Sequence, residues 1–309
     1  MASILTLTMN PALDVSTSVD KVVSKHKLRC SGVRFDPGGG GVNVARVIER
    51  LGGKATALYA VGGPLGEVYQ GLLEAELDGA TRIAIEGNTR QSLNVSETST
   101  GEEYRFVLEG PQWREKEWRG ALDLIEERLS DGAYVVVSGS LPQGVPDDFP
   151  ARVARLAKQA EARCVVDASG AALEAALEEG VFLIKPNRRE LSDLTGSDLD
   201  TREEQEATLQ KIVDDGGSEV VALSLGGDGA LFASVDDAFH IAAPEVEARS
   251  AVGAGDSFVA ALVLRLADGK PLEDAARYAV AAGAAALLSE GTEMCRAEDV
   301  ERLYEELRP

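Results

Sequence analysis

From about Lys116 to Ser224, short apolar runs alternate with longer segments whose apolar positions recur every three or four residues. Runs of four to eight apolar residues bounded by turn formers predict buried strands, and the 3.6-residue period predicts helices packed on them. Strands are expected at Tyr134–Val137, Cys164–Asp167, Val181–Ile184 and Val220–Ser224, with helices over 116–130, 148–161, 170–178 and 201–215. Strict alternation of this kind builds a parallel sheet with helices on its faces. Upstream, 4–9 and 56–61 read as strands, Val42–Ile48 as an amphipathic helix, and a further helix begins near Gly66. Arg82–Glu86, Ser92–Glu97 and Glu103–Leu108 are shorter and more polar. They predict a sheet exposed on at least one face and distinct from the main core. Strands at 230–235 and 239–243, a helix after Gly255, and Ala-rich helices at 272–289 and 297–308 complete the pattern. No repeat or linker interrupts it, so one domain over 1–309 is expected, with a strand-built appendage from about 11–35 and 88–110.

Composition changes this picture little. A chain of 309 residues, 44% hydrophobic and 27% charged, can bury a large core. No apolar run approaches the 18 or so residues of a membrane span. The first residues lack a basic region followed by an apolar core, and Cys30, Cys164 and Cys295 form no CxxC pair. A reducing cytoplasm is therefore the expected location. The net charge of −21 argues against nucleic acid or an anionic membrane as partner. An anionic substrate would need a local basic patch, and Lys21, Lys25, His26, Lys27, Arg29 and Arg34 form one with no acid between them. A solvated basic face accounts for that run equally well.

The chemistry-bearing residues fall at predicted strand ends and helix starts. In Ala251-Val252-Gly253-Ala254-Gly255-Asp256-Ser257-Phe258, glycines leave backbone N–H groups unscreened just before a helix, where the dipole favours an anion. Asp256 beside that anion hole suits proton abstraction from a hydroxyl during phosphoryl transfer; a plain N-cap is the competing reading. Gly38-Gly39-Gly40-Gly41 precedes a helix at once, and so much backbone freedom implies close approach to a ligand or another segment. Asn43 in that helix's first turn offers both a donor and an acceptor to sugar hydroxyls. Asp14 lies just past the first strand, where open α/β sheets bind ligands, though it could be a turn aspartate. Arg90 and Arg105 lie on the polar strands and read by default as surface charges.

Lys185-Pro186-Asn187-x-x-Glu190 sets two oxygen ligands three residues apart, on one face if a helix starts there, which suits Mg²⁺ held partly through water. Ser224-Leu225-Gly226-Gly227-Asp228-Gly229 reads either as a phosphate-binding turn or as a hairpin turn. There is no G-x-x-x-x-G-K-[ST], no G-x-G-x-x-G after the first strand, and no H-R-D or D-F-G. With only His26 and His240, histidine metal sites and a Ser-His-Asp mechanism are disfavoured.

Gly38 to Asn43 and Val252 to Phe258 resemble the two signatures of the ribokinase-like, or PfkB, carbohydrate kinases. Thr8 to Asp14, Ser138-Gly139-Ser140-Leu141-Pro142, Lys185 to Glu190 and Ser224-Leu225-Gly226 extend the resemblance in order and spacing over essentially the whole chain. It narrows to the phosphosugar branch of 1-phosphofructokinases, tagatose-6-phosphate kinases and minor bacterial 6-phosphofructokinases. The first of these resemble Gly-Gly-Lys-Gly where this chain has glycine at position 40. Lys27 to Cys30 and Gly101 to Val107 resemble the last.

The resemblance implies an α/β fold: a three-layer α/β/α sandwich with a mainly parallel sheet and a small β lid that also joins two copies as a homodimer. It implies ATP-dependent phosphorylation of the 1-hydroxyl of fructose 6-phosphate, with Asp256 as base and Gly253, Ala254 and Gly255 as the anion hole. Gly38, Gly39, Asn43 and Asp14 would meet the sugar, and Arg90, with Lys27, Arg29 and Arg105, its phosphate, near Ser140. Lys185, Asn187, Ser224, Gly226 and Gly229 would meet ATP, with Mg²⁺ near Asn187 and Glu190. It allows K⁺ on carbonyls near Ser250, Val252, Ala286 and Ser289. Asp256 is expected to be a weak base, since the helix N-terminus favours its charged form. Tagatose 6-phosphate, fructose 1-phosphate or a nucleoside stand as alternative acceptors, and a non-catalytic phosphosugar sensor as the reading outside enzymes.

Overall fold

The computed structural model describes residues 2–289 and 293–308. The strands of the main sheet are β1 (Ile4–Thr8), β4 (Thr56–Val61), β5 (Thr81–Ala84), β8 (Tyr134–Ser138), β9 (Arg163–Asp167), β10 (Val181–Ile184), β11 (Ser218–Ser224), β12 (Ala230–Ser234) and β13 (Ala238–Ile241). Their order is β13-β12-β11-β10-β9-β8-β1-β4-β5. Pairing is parallel from β5 through β11, and β12 and β13 add an antiparallel edge.

Strand alternation divides the core in two. Ile4, Tyr134, Val136, Val165 and Leu183 face one way, onto α1 (Gly40–Arg50), α2 (Gly63–Glu74), α8 (Ala254–Ala267), α9 (Leu272–Leu287) and α10 (Ala297–Glu306). Leu5, Leu7, Val135, Val137, Val166 and Ile184 face the other way, onto α3 (Glu115–Arg128), α4 (Phe149–Gln159), α5 (Ala171–Glu179), α6 (Arg188–Thr195) and α7 (Arg202–Asp214). Helices on both faces explain why these strands read as unbroken apolar runs. None of the described helices is long and apolar enough to cross a membrane.

A separate four-stranded sheet has the order β3-β2-β6-β7, from β2 (Ala12–Val19), β3 (Ser31–Gly38), β6 (Arg90–Glu97) and β7 (Glu103–Val107). The polar segment at 82–86 does not belong to it. The strand there, β5, pairs parallel with β4 at the edge of the main sheet, and an edge position exposed on one side accounts for its polarity. The helix α6 begins just after Asn187, as the Asn-x-x-Glu spacing allows.

The four glycines at 38–41 sit where this lid rejoins the core. A Cβ at Gly38 would overlap the Asp14 carboxylate, one at Gly40 would meet Ser138 Oγ, and one at Gly41 would strike the Leu7 carbonyl. Their approach is thus to other segments of the chain. Thr8 Oγ1 accepts from the Val42 amide at 2.7 Å, so the end of β1 satisfies a donor at the start of α1.

Gly41→Ala is expected to destabilise the protein by about 1–3 kcal/mol, because backbone rather than a side chain must give way. Gly71→Ala, in α2 with open space around it, should be neutral or stabilising by up to about 1 kcal/mol. Urea denaturation of both variants checks the contrast.

Candidate active site

Two cavities meet at the start of α8. The smaller, about 490 Å³, is polar and bordered by Gly40, Ser138, Ser140, Asp167, Glu190 and Asp256. The larger, about 760 Å³, is bordered by Ser224, Gly226 and Gly229 and by an apolar wall including Val246, Phe258, Val280 and Leu287. Ala254 and Gly255 border the larger cavity, so the first turn of α8 forms the partition.

Gly253, in the left-handed region at φ 76°, is the N-cap of α8, and no side chain caps the helix. Asp256 is therefore not the cap; it stands in the first turn, and its carboxylate lines the polar cavity. The amides of Ala254, Gly255 and Asp256 have no intrahelical acceptor by helix geometry, which leaves the helix start free to hold an anion. Gly255 lies against Lys185: a Cβ there would stand 3.6 Å from its Nζ.

The charge balance differs from the sequence expectation in one respect. Asp256 is pushed up to about 6, chiefly by burial, with the Asp167 carboxylate acting in the same direction. The hydrogen bond from Asn43 and the positive charges of Lys185 and Arg46 oppose that rise without cancelling it. Desolvation outweighs the helix end, and Asp256 is a better base than expected.

Asn43 Nδ2 donates to Asp256 Oδ2 at 2.8 Å. Lys185 is buried and pairs with Asp167 at 3.1 Å. Burial works against the ammonium, but the carboxylates of Asp167, Glu190 and Asp256 together more than offset it and hold the Lys185 pKa above its ordinary value. Asp167 is a site residue that the sequence reading passed over. Its signal was the one used for Asp14, a carboxylate at the carboxyl end of a parallel strand.

Asn187 and Glu190 do share the first turn of α6, where they cap each other. Asn187 Oδ1 accepts from the Glu190 amide at 2.9 Å, and Glu190 Oε2 from the Asn187 amide at 2.8 Å. Among the described residues, no three His, Cys, Asp or Glu side chains are grouped to cage a metal. A divalent ion beside Glu190 would need phosphate oxygens and water for most of its shell, which is the usual habit of Mg²⁺. The Ser224–Gly229 segment is the hairpin turn that its sequence allowed, and it also borders a cavity. It is the turn joining β11 to β12, and three of its glycines line the larger cavity.

On the acceptor side, Ser140 borders the polar cavity and accepts from Asn10 Nδ2 at 3.1 Å. Asp14 is raised to about 6, mostly by burial, against the pull of Arg105 and Arg90. Arg90 is not a free surface charge: its guanidinium donates to the carbonyls of Asn10 and Leu108, pinning β6 to the loop after β1. Lys27 and Arg29 lie exposed between β2 and β3 and border neither cavity. Arg34 of the same basic run is paired with Asp36 and Glu293. Gly39 sits at the lid junction with φ 132°. Ser250 and Ser289 are buried, and the Arg249 amide donates to the Leu287 carbonyl at 2.7 Å, so the segment holding Ser250 and Val252 meets the end of α9 holding Ala286.

The chain matches the profile of the "pfkB family carbohydrate kinase" over residues 7–299. It is 44% identical over 302 residues to a Mycobacterium tuberculosis protein named ATP-dependent 6-phosphofructokinase isozyme 2, covering 98% of this chain and 89% of that one. Against the Escherichia coli phosphofructokinase-2 crystallised with potassium, the TM-score is 0.96 at 41% identity, with 99% of each chain covered. The same E. coli protein has been solved in complex with fructose-6-phosphate, and there the TM-score is 0.94. A Bacillus subtilis 1-phosphofructokinase is 34% identical over 307 residues, 99% of this chain and 98% of that one.

A carboxyl raised from 3.8 to about 6 is protonated in the native state at a pH where the unfolded chain has lost its proton. Its stabilising share is full below about pH 4 and is lost as pH rises through about 6. Asp256→Asn keeps an acceptor for Asn43 and removes the buried charge. That variant should lose turnover yet unfold about 1–3 kcal/mol less readily than the parent near pH 8, the difference shrinking near pH 5. Denaturant titrations at the two pH values decide.

Proposed function

The chain belongs to the pfkB family of carbohydrate kinases, and from that premise we infer that it phosphorylates the 1-hydroxyl of fructose 6-phosphate with ATP. The observation that carries this reading is a single carboxylate, Asp256, on the partition between a polar and an apolar cavity at an uncapped helix start. The apolar cavity suits a nucleoside, with Ser224, Gly226 and Gly229 at its rim, and the polar cavity suits a sugar phosphate.

Asp256 takes the proton of the attacking hydroxyl as the γ-phosphoryl group leaves ATP. A loose transition state asks little of a base and much of charge stabilisation. The amides of Ala254, Gly255 and Asp256, with the ammonium of Lys185, supply that stabilisation. Asn43 holds the Asp256 carboxylate in place. Asp14, Gly38 and Gly39 hold the sugar, with Ser140, Arg90 and Arg105 toward its phosphate. Asn187 and Glu190 would hold a magnesium ion, which would supply neutralisation of the phosphate charge. Carbonyls at Ser250, Val252, Ala286 and Ser289 are neutral oxygen donors of the kind a potassium ion takes.

Glycine at position 40 favours fructose 6-phosphate over fructose 1-phosphate. Gly40 packs against Ser138 and Gly139, so a lysine there would have to displace the loop that borders the sugar cavity.

The 309 residues act as one kinase unit carrying a lid, and two copies pair through the lid. Phe35, Val15, Leu93 and Phe106 form one cross-strand row on one face of the sheet, and Phe35 and Phe106 are about half exposed, at 47% and 54%. The adjacent row on the other face, Asp36, Asp14 and Ser92, is polar up to its outer end at Val107, and its Asp14 belongs to the acceptor site. An apolar face that water covers only at a cost suits a second copy of the same sheet. Lys27 and Arg29, at the lid's exposed loop, would act from there on the sugar phosphate.

With purified protein, fructose 6-phosphate should give a kcat/KM at least about tenfold above those for tagatose 6-phosphate and fructose 1-phosphate. A preference for fructose 1-phosphate, or no ADP with any sugar phosphate, would overturn the assignment. Phe106→Asp should convert the dimer to monomer in sedimentation velocity, with the main domain still folded.

A further inference from the structure

The second residue of the α1 turn above Asn43 has no part in the mechanism so far. Arg46 is one of the few fully charged side chains in the interior, 4% exposed. Its Nε and Nη2 both donate to Glu76 Oε2, at 2.9 and 2.7 Å, which fixes the guanidinium plane. Its Nη1 then faces two acceptors: the Pro37 carbonyl at 3.2 Å, at the end of lid strand β3, and Asn43 Oδ1 at 3.4 Å.

A primary amide has one accepting and one donating end. With a cation on the Oδ1 side, the Asn43 NH₂ must point the other way, where Asp256 Oδ2 lies 2.8 Å off. Were the amide reversed, an oxygen would confront the carboxylate and NH₂ would confront the guanidinium, two repulsive contacts in place of two attractive ones.

We propose that Arg46 is a positioning residue of the phosphoryl transfer, locking the Asn43 amide so that its NH₂ group faces the base Asp256, and tying that lock to the lid through the Pro37 carbonyl. The inference rests on the reaction assigned above for its consequences in turnover, but the orientation itself is a property of the folded chain. The charged groups around Asp256 are Arg46 from α1, Lys185 after β10 and Asp167 at the end of β9, with Glu190 and Asp147 on the same cavity wall. Of these, Arg46 is the one that also bonds the side chain holding the base.

Loss of Arg46 removes a donor from Asp256 whenever Asn43 turns over, and removes a nearby positive charge; both changes favour the protonated carboxyl. Arg46→Lys retains a charge that Glu76 can pair while losing the planar fork, and so protects folding; Arg46→Met removes both.

Two readouts test the proposal. The first compares the pH dependence of unfolding for Asp256 and Asp256→Asn proteins, with Arg46 and with Arg46→Lys. The difference isolates the Asp256 titration, whose midpoint should rise by at least about half a pH unit in the Arg46→Lys background. The second is the kcat profile, whose acidic limb should move up by the same amount while the KM for ATP stays within about twofold. An unmoved midpoint and limb, even with lower kcat, would make Arg46 a purely structural ion pair and overturn the proposal. Absence of turnover in the parent protein would overturn the assigned reaction instead, leaving the stability readout to judge the role of Arg46.

Discussion

Two backbones cannot come closer than their side chains permit, and at residues 38–41 the permission is given by having none. There the lid strand β3 ends and α1 begins, against the ends of β1 and β8 and against the Asp14 carboxylate. The approach sets where α1 starts, and with it the depth at which Asn43 and Arg46 lie. It also leaves Gly40 on the wall of the polar cavity, beside Ser138. The site is thus assembled by crowding. Three segments that share no local sequence logic are brought into register by the volume missing from one of them.

Within that frame the decisive electrostatic balance is between burial and dipole. A carboxylate at a helix N-terminus in water is held ionised, whereas Asp256 is raised because the surrounding segments exclude water from it. The same crowding that raises the Asp256 carboxyl makes the folded state pay for holding it ionised. Lys185 avoids the fate of an isolated buried ammonium through Asp167, and Arg46 through Glu76. The interior charges next to the base each have an acid assigned to them.

Most of the main sheet was legible because helices on both faces make its strands continuously apolar, and that signal survives in a single sequence. β5 was grouped with the polar strands outside the main core because an edge strand is polar for the same reason that a lid strand is. The Asn-x-x-Glu spacing was read as two oxygens on one helix face, but not that each residue caps the other. Asp256 was expected to act beside an anion hole, and it stands in the first turn of a helix that no side chain caps; that Gly253 rather than Asp256 is the cap depends on a left-handed backbone angle which composition does not reveal. Asp167 was passed over although its place at the carboxyl end of a strand was legible; its pairing with Lys185, 18 residues on, was not. Arg46 left no local signal, because its partner Glu76 lies 30 residues away and pairing across the fold leaves no local pattern.

The lid strands carry an apolar row on one face and Asp14 with Asp36 on the other, and side chains alternate along a strand. A slip of one residue that moved β2 and β3 against β6 would therefore turn Phe35 to the face of Ser92 and Asp14 to the face of Leu93, while Phe106 kept its place. Eight consecutive paired positions between β2 and β6 hold that register. Insertions and deletions should be filtered accordingly as such a chain diverges. The exposed connection between β2 and β3 can change length without disturbing either face, whereas a single residue gained or lost inside β2 or β6 exchanges the face of Asp14 for the greasy one in one step.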